Sequence, residues 1–350
     1  MCRHLSAIGN VTFTEADTPR VRASMIYGVT MHPEKISDKD FIDTLYRSDL
    51  SRCCCYHCVN HYDENSLNIA MRTDIVEQGF APDYVKAIAE EIKSGNSWSV
   101  SGKADVLYFA DPYTEIAGTV APAFDALMKK AGVAYAVISG GSIGRALKVL
   151  GYAKEAKESA EKFVAAVKAA GAKTLVVSNP AAYELLKNDC AEFGIEVPFA
   201  VMHTSEYILQ LKLAFSKNAG VVYYLESDYL RNYNDDLAFP RELLAALKAD
   251  VKPFGTNNEE SYTCGEGAVI LPKINEDLVR KLAEYIADRA DDPANDLIVV
   301  ASPYTRIYLS KYTALKVVTL EELAASLLLC NRENTYVSCH NERNAHRRPP

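Results

Sequence analysis

A regular alternation of short apolar segments with longer helical patterns begins near residue 104 and constrains the fold more than any other feature of this sequence. Apolar segments of strand length stand at residues 106–110, 134–139 and 175–178, and helical patterns stand at 122–130 and 155–170. Strands that alternate with helices are typical of parallel βαβ units, because parallel strands need a long crossover connection. The sequence therefore predicts an α/β fold with parallel sheets.

The same order of segments recurs in the second half of the chain. Strand character returns at 221–225 and 297–301, helical character at 240–248 and 276–289, and a glycine turn lies at 263–267. This recurrence indicates a second α/β unit of the same kind.

The two halves are most similar in one local segment. VVSNPAAYELLK begins at Val176 in the first half and aligns with VVASPYTRIYLSK, which begins at Val299 in the second. A period of about 120 residues is too long for a solenoid repeat and fits duplication of one module. We therefore predict two tandem duplicated α/β modules, over residues 104–217 and 218–328.

The remaining segments lack this alternation. Residues 1–37 have no clean period and are predicted to be an irregular N-terminal arm. Residues 38–103 are predicted to be a helical segment, with a helix at 83–93 and a polar linker at 96–103. Residues 329–350 are predicted to be a disordered tail.

Composition and charge argue against two classes of protein. The net charge is −8 and no lysine- or arginine-rich face stands out, so nucleic acid is not expected as the main partner. No apolar run approaches the ~20 residues of a membrane-spanning helix, and the first thirty residues lack the apolar block of a signal peptide. Nine cysteines without such a signal indicate a reducing cytosol. We expect a cytoplasmic protein with no membrane span.

Ligands of parallel α/β sheets bind beyond the carboxyl ends of the strands. The predicted strand ends are therefore the candidate sites. They are Asp111, the loop 140–144 and Asn179 in the first half, and Asp228, the turn 263–267 and Ser302 in the second half.

The residues at these strand ends and beside them follow a recognisable order. In the first half it is Asp111, then Ser142-Ile143-Gly144, then Asn179-Pro180-Ala181-Ala182. In the second half it is Asp228, then Thr263-Cys264-Gly265, then Ser302-Pro303-Tyr304-Thr305. Four flanking segments complete the pattern: Gly144-Arg145-Ala146-Leu147, Pro240-Arg241-Glu242-Leu243-Leu244, Cys264-Gly265-Glu266-Gly267 and His203-Thr204-Ser205-Glu206.

This order resembles the cysteine-rich (CCG-type) domains of heterodisulfide reductase B and D subunits and of related iron–sulfur oxidoreductase subunits. Each module of that family has a cysteine after its first strand, a Cys-Cys-Gly at a glycine turn and a Cys-Pro-x-Cys after a later strand. Of these cysteines only Cys264 stands in this chain. The resemblance covers roughly two thirds of the chain and implies the family's fold, with most cluster ligands replaced.

The segment before the modules resembles the ferredoxin-like stretch of the same family, whose motif is Cys-x2-Cys-x2-Cys-x3-Cys-Pro. The best register puts Arg52, Cys55, Cys58, Tyr62 and Asp63 at its five positions and keeps only the middle pair of cysteines. Residues 38–103 are therefore identified as a degenerate ferredoxin-like segment.

Four thiols in six residues are the candidate metal ligands of this segment. They are Cys53, Cys54, Cys55 and Cys58. Soft thiolates are the ligands of iron–sulfur clusters and of zinc, so one cluster or one zinc ion is expected here if the thiols converge. His61 or Asp63 could supply a missing ligand. The alternative is a reduced cysteine patch that binds no metal.

Intact members of the family pass electrons through iron–sulfur clusters to or from a disulfide or a quinone. Because the ligands are replaced here, the resemblance implies a heterodisulfide-reductase-like subunit of a cytosolic electron-transfer complex. We expect a docking or scaffold role beside partners that carry flavin or iron–sulfur clusters. The alternative is an enzyme that acts on a small molecule in the cleft between the two modules, with Asp111, Asp228, Cys264 and His203 as catalytic candidates.

Each catalytic candidate has a structural alternative. Cys264 is either a redox-reactive thiol or an isolated structural cysteine, and His203 is either a general base or a buried structural histidine. Asp111 and Asp228, like Asn179 and Ser302, either form a site for a hard metal or a polar ligand or form hydrogen bonds across the emptied pockets. The loop 139–144 is either a phosphate cradle or a tight turn.

Overall fold

The computed structural model describes residues 5–235, 238–253 and 262–328, and of Tyr56 and His57 only the backbone. It is a mixed α/β structure with two sheets, and its strands are mostly parallel. The predicted α/β fold class is therefore confirmed.

The first sheet has five strands among the described residues, in the order β1-β3-β2-β4-β5. Strand β1 is antiparallel to β3, and all other neighbours are parallel. The central strand of sequence VLYFA is buried at nearly every position, as expected for a parallel strand covered on both faces. The strands are β1 (Trp98–Ser101), β2 (Val106–Ala110), β3 (Ala136–Gly140), β4 (Thr174–Val177) and β5 (Ala200–His203).

The second sheet has four described strands in the order β7-β6-β8-β9, and all neighbours are parallel. Its strands are β6 (Gly220–Leu225), β7 (Ala249–Lys252), β8 (Leu297–Val300) and β9 (Lys316–Thr319). In both sheets the parallel strands lie in the order second, first, third, fourth along the chain. This common order is what a duplication requires, although it does not establish one.

Helices cover the chain before the first sheet and both faces of the sheets. The N-terminal helices are α1 (Ala7–Thr12), α2 (Pro19–Met31), α3 (Lys39–Tyr46), α4 (Cys53–His57), α5 (Glu64–Glu77) and α6 (Asp83–Gly95). The first half contains α7 (Pro112–Ala117), α8 (Val120–Ala131), α9 (Arg145–Leu150), α10 (Ala153–Ala170), α11 (Pro180–Glu184), α12 (Cys190–Glu192) and α13 (Thr204–Gln210). The second half contains α14 (Ala238–Ala246), α15 (Leu271–Ile274), α16 (Glu276–Ala287), α17 (Pro303–Tyr312) and α18 (Leu320–Ser326).

Short helical segments of other pitch complete the described chain. The π-helical turns are Leu185–Asp189 and Asp228–Tyr233, and the 3₁₀ turns are Glu15–Asp17, Pro33–Ser37 and Glu266–Ala268. No helix in the described ranges is long and apolar enough to cross a lipid bilayer.

The two halves pack against each other mainly through α8 with α18, α13 with α14, and α7 with α17. A shared apolar core continues from the first sheet through these helices into the second sheet. Because α7 begins directly after β2, its packing against α17 brings the second half over the strand ends of the first sheet.

The prediction of an irregular arm at residues 1–37 is wrong for its described part, which contains α1, α2 and two 3₁₀ turns. Helix α2 has no simple apolar stripe, because its buried face carries a charged pair. Arg22 Nε lies 2.8 Å from Glu64 Oε1, and both side chains are buried. A buried ion pair breaks the apolar period on which sequence prediction depends.

The prediction of a linker at 96–103 is also wrong, since β1 lies within it and joins the first sheet. This strand is an exposed edge with mostly polar residues, so it lacks the apolar pattern of an inner strand. Its Trp98 packs against Phe163 of α10, with ring centroids 5.4 Å apart. The predicted tail at 329–350 lies outside the described residues.

Candidate functional site

A cavity of about 340 Å³ lies at the carboxyl ends of β2, β3 and β4. Asp111 follows β2, the loop residues Gly141, Ser142 and Ile143 follow β3, and Asn179 follows β4, and all of them line the cavity. Strands β2 and β4 are neighbours in the sheet, and the chain continues from β2 to β3 on one side of this pair and from β4 to β5 on the other. The cavity thus lies at the topological switch point, where ligands of open α/β sheets bind.

The second half of the chain and helix α6 supply the other walls of this cavity. Val269, Ile270, Lys273 and Tyr308 line it from the second half, and Glu91 of α6 does so from the N-terminal helices. Lys273 Nζ forms an ion pair with Glu91 between half-exposed side chains. The first sheet therefore provides the floor of the cavity, and sequence-distant segments close it.

Asp111 and Asn179 are hydrogen-bonded to each other at the cavity floor. Asn179 Nδ2 donates to Asp111 Oδ2 at 2.5 Å, while Asp111 Oδ1 accepts from the Thr114 backbone N–H at 3.0 Å and caps α7. Asn179 Oδ1 in turn accepts from the Ala181 N–H at 2.9 Å and caps α11. Burial raises the pKa of Asp111, although its hydrogen bonds with Thr114 and Asn179 oppose this shift. These two residues thus bond to each other and line the cavity.

The loop after β3 is a tight turn packed against the end of α6 and the start of β1. A Cβ atom on Gly140 would lie 2.0 Å from the Ser97 carbonyl oxygen, and one on Gly141 would lie 2.1 Å from the Gly95 carbonyl oxygen. Trp98 Nε1 donates to the Gly141 carbonyl at 2.9 Å. Glycine is therefore needed for close backbone approach, and this approach brings Ser142 to the cavity.

Arg145, the first residue of α9, lines the cavity and was not among the functional candidates from sequence. It is 4% exposed. Its Nη1 donates to both carboxylate oxygens of Asp189, at 2.9 and 2.8 Å, and its Nε donates to the Tyr229 hydroxyl at 3.3 Å. The guanidinium also stacks on the rings of Tyr229 and Tyr233, each centroid 5.1 Å away. The segment Gly144-Arg145-Ala146-Leu147 was noted in the sequence only as part of the family resemblance, and the partners of Arg145 come from distant segments that no local pattern indicates.

The strand ends of the second sheet are filled by their own side chains. Glu266 Oε1 accepts from Ser227 Oγ and its Oε2 from the Asp228 backbone N–H, both at 2.9 Å. Asp228 Oδ2 accepts from Thr263 Oγ1 at 2.5 Å and from the Gly267 N–H at 3.0 Å. All of these side chains are buried.

Two carboxyl groups buried so close together favour protonation. Burial raises the pKa of Glu266 to about 7, against the effect of its hydrogen bonds. Burial and the neighbouring Glu266 charge raise the pKa of Asp228 well above its ordinary value. At neutral pH this pair holds a proton that exposed carboxylates would release.

The catalytic candidates Cys264 and His203 lie away from the cavity. Cys264 is fully buried, and burial raises the pKa of its thiol far above the ordinary value. His203 is also fully buried; its Nδ1 lies 2.7 Å from Ser205 Oγ and its Nε2 lies 3.2 Å from the Ser178 carbonyl oxygen. Burial lowers the pKa of His203 to about 4, so the ring is neutral. Of the four catalytic candidates, only Asp111 lines the cavity.

The four candidate metal ligands have different surroundings. Cys53 is buried and its Sγ accepts from Asn232 Nδ2 at 3.3 Å, whereas Cys54 and Cys58 line a groove of about 400 Å³. Cys55 Sγ donates to the His61 carbonyl at 3.3 Å. Within the described ranges, no three histidine, cysteine, aspartate or glutamate side chains are arranged to hold a metal ion.

The thiol pKa values also differ along this segment. Burial raises the pKa of Cys53 to about 12. The pKa of Cys58 is lowered instead, because the backbone N–H groups of Tyr62 and Asn60 stabilise its thiolate. The segment therefore combines a protonated interior thiol with a more acidic surface thiol.

Comparison of the chain with models of protein families and with curated proteins gives no match.

Proposed function

We propose that the protein binds, and acts on, a small organic molecule in the cavity between its two halves. The observation that carries the proposal is the cavity of about 340 Å³ at the switch point of the first sheet, closed by residues of the second half. Its size lies at the lower end of the range for small-molecule sites, about 300–1,000 Å³. The second sheet, whose strand ends are filled, then serves as the wall and not as a second site.

The lining supports a ligand with a largely apolar body and a few directed polar contacts. Phe109, Ile143, Val269 and Ile270 provide apolar walls, and Asp111 is the titratable group on the floor. A carboxyl whose pKa is raised by burial holds its proton more readily than an exposed one, which suits it to proton transfer. Asp111 is therefore the proposed acid–base group of any reaction in this cavity.

The test is to block the cavity and compare the small molecules that the protein retains. Ser142→Phe places a ring in the cavity from a loop, whereas Ser99→Phe puts the same ring on the exposed edge strand β1 as a matched control. Each protein is incubated with a metabolite extract of its native cell, washed and analysed by native mass spectrometry. The wild type and Ser99→Phe should retain the same small molecule, and Ser142→Phe should lose it.

Retention of identical molecules by Ser142→Phe and the wild type would place the ligand elsewhere. An empty wild-type protein after exposure to the extract would end the proposal. Asp111→Asn, which keeps the shape of the floor, should retain the ligand while the turnover of that ligand falls by about 10²-fold or more.

A second candidate is the role that the family resemblance implies, namely a docking subunit of a cytoplasmic heterodisulfide-reductase-like complex. The groove beside Cys54 and Cys58 favours it, because Tyr27 and Val59 near this segment are 67% and 87% exposed. Exposed large apolar side chains are more frequent where partners bind. The common strand order of the two sheets supports the duplicated-module ancestry.

This candidate predicts near-stoichiometric co-purification with flavin- or cluster-bearing redox proteins from the native cell. Anaerobic purification followed by iron, sulfide and zinc analysis tests the accompanying cofactor proposal of one cluster or zinc ion within the segment 53–58. Any metal bound there should disappear in the double variant Cys55→Ser, Cys58→Ser. Purification as a lone chain without metal would contradict the docking role.

A further inference from the structure

Arg145 has one guanidinium nitrogen without a partner in the described structure. Nη1 is used by Asp189 and Nε by Tyr229, but Nη2 is buried and has no hydrogen-bond acceptor. Burying a charged donor without an acceptor costs free energy, and the cost is larger than for a neutral donor. An acceptor that reaches Nη2 would remove this cost.

The positive charge of Arg145 is already balanced within the protein. Asp189 accepts two hydrogen bonds from it, and Glu184 Oε1 lies 3.9 Å from Nη1. The missing partner is therefore a hydrogen-bond acceptor, which can be a neutral carbonyl oxygen as well as a carboxylate. A cationic group has no acceptor to offer to Nη2.

The rest of the cavity restricts the remainder of the ligand. Its wall is dominated by apolar and aromatic side chains, including Tyr113 and Tyr308, whose ring centroids lie 6.5 Å apart. The Tyr113 hydroxyl already donates to the Val269 carbonyl at 2.6 Å, so this ring offers mainly its face. An apolar or aromatic body fits such a surface better than a sugar or a phosphate does.

We infer that the cavity takes a small molecule with an apolar or aromatic body and an oxygen-acceptor head group, and that Arg145 Nη2 binds this head group. The inference rests on the proposed function, since it describes the ligand of the same cavity. It adds the chemical class of the ligand and assigns Arg145 as the residue that determines specificity.

The test uses a matched series of probes that share one phenylbutyl body and differ only in the head group. 4-Phenylbutyrate carries a carboxylate, 4-phenylbutanamide a neutral carbonyl, and 4-phenylbutylamine a cation without an acceptor. Dissociation constants are measured by isothermal titration calorimetry. The carboxylate and the amide should bind about tenfold or more tightly than the amine, the range expected for one hydrogen bond to a charged donor.

Variants of Arg145 should remove this preference. Arg145→Lys keeps a charge near Asp189 but loses the second guanidinium nitrogen, so the three probes should bind with similar affinity. The wild-type protein offers a readout that does not depend on a folded variant. With ¹⁵N-labelled arginine, the Nη2 resonance of Arg145 should shift on addition of the carboxylate or the amide and stay unchanged with the amine.

Arg145 also lines a neighbouring polar cavity of about 350 Å³, and two blocking variants distinguish the two cavities. Ser142→Phe blocks the proposed cavity, and Ser66→Phe blocks the polar one. Probe binding should be lost in the first variant and kept in the second. The reverse result would overturn the inference.

The outcomes separate this inference from the proposed function. Binding of all three probes with equal affinity, lost in Ser142→Phe, would overturn the head-group inference and leave the small-molecule site intact. Retention by Ser142→Phe of the molecules taken from the metabolite extract would instead overturn the proposed function. A preference for the amine would contradict the assignment of Arg145.

Discussion

The strand ends of the two sheets differ in what occupies them, although the parallel strands of both sheets lie in the same order. At the first sheet, Asp111 and Asn179 bond to each other and border a cavity. At the second sheet, Glu266 reaches Ser227 and Asp228, and the interior is closed by buried side chains. In the second site one buried glutamate accepts both hydrogen bonds, whereas the polar pair of the first site lies beside a cavity.

The two sites indicate different roles: the polar groups of one stabilise the fold, and those of the other can bind a ligand. Polar groups that satisfy one another in a filled site contribute to stability and offer nothing to a ligand. Polar groups that border a cavity can be satisfied by water or by a ligand. We therefore expect changes in the second site to affect mainly stability and changes in the first to affect mainly binding.

The largest expected effect is the loss of the filled site. Glu266→Ala leaves the Ser227 hydroxyl and the Asp228 N–H without an acceptor and opens a hole, so the free energy of unfolding should fall by about 4 kcal/mol. Asp111→Ala should cost about 1–2 kcal/mol, since water in the cavity can replace the carboxylate. Urea unfolding followed by circular dichroism measures both. Equal losses in the two variants would remove the distinction between the sites.

The pH dependence of stability should also come from the filled site. The pKa of Glu266 is about 7 in the folded chain and near its ordinary value of 4.5 when unfolded. The unfolded chain therefore releases this proton first, and stability falls as pH rises from 4.5 to 7, by about 3 kcal/mol. Asp228 acts in the same direction.

The measurement for this prediction is the difference in unfolding free energy between the wild type and Glu266→Gln across this pH range. The difference is needed because His203, with a pKa lowered to about 4, adds stability as pH rises to its ordinary 6.5. The gap between the two proteins should shrink as pH rises to 7. A gap that does not change with pH would show that Glu266 ionises normally.

The glycine turns of the two halves provide a third comparison. A Cβ on Gly144 would lie 2.6 Å from the Ala156 carbonyl oxygen, whereas one on Gly265 would lie 2.6 Å from the movable end of Leu271. Gly144→Ala should therefore destabilise by about 3 kcal/mol and Gly265→Ala by about 2 kcal/mol.

Gly171→Ala is the matched control for both turns. This residue also has a positive φ, of 75°, but no atom lies within 4 Å of its Cβ position. Its replacement by alanine should therefore lower the free energy of unfolding by about 1 kcal/mol through backbone strain alone. Thermal unfolding of the three variants measures the order of their losses of stability. Equal losses would mean that close contact contributes nothing at either turn.

The smallest expected effect lies at the rim of the open cavity. Lys273 and Glu91 are 43% and 65% exposed, so Lys273→Ala should change the free energy of unfolding by less than about 0.5 kcal/mol. The same variant should speed the association of 4-phenylbutyrate in stopped-flow measurements, since the ion pair joins two walls of the cavity. A large loss of stability would instead make this pair part of the core.

The sequence predicted the strands and the polar residues at their ends more accurately than it predicted the site. The strand at 106–110 was placed correctly because its residues are apolar throughout, and the capping positions Asp111 and Asn179 follow from their place after a strand. It missed the strands β1, β5, β7 and β9 and the helix α2. In β1 exposure removes the apolar pattern, and in α2 a buried ion pair does so. Whether the halves arose by duplication stays a prediction.

By itself, then, the sequence determined the α/β class, the alternation of strands and helices, and which residues stand at the strand ends, because these depend on local periodicity and on the residues beside each strand. Only the tertiary structure decided that Asp111 borders a cavity and that Asp228 is hydrogen-bonded within a buried cluster. Arg145, Lys273 and Tyr308 come from segments far apart in the chain, and they meet only because α7 packs against α17 and brings the second half over the first sheet. Contacts of this kind depend on packing between elements, and no local pattern encodes them.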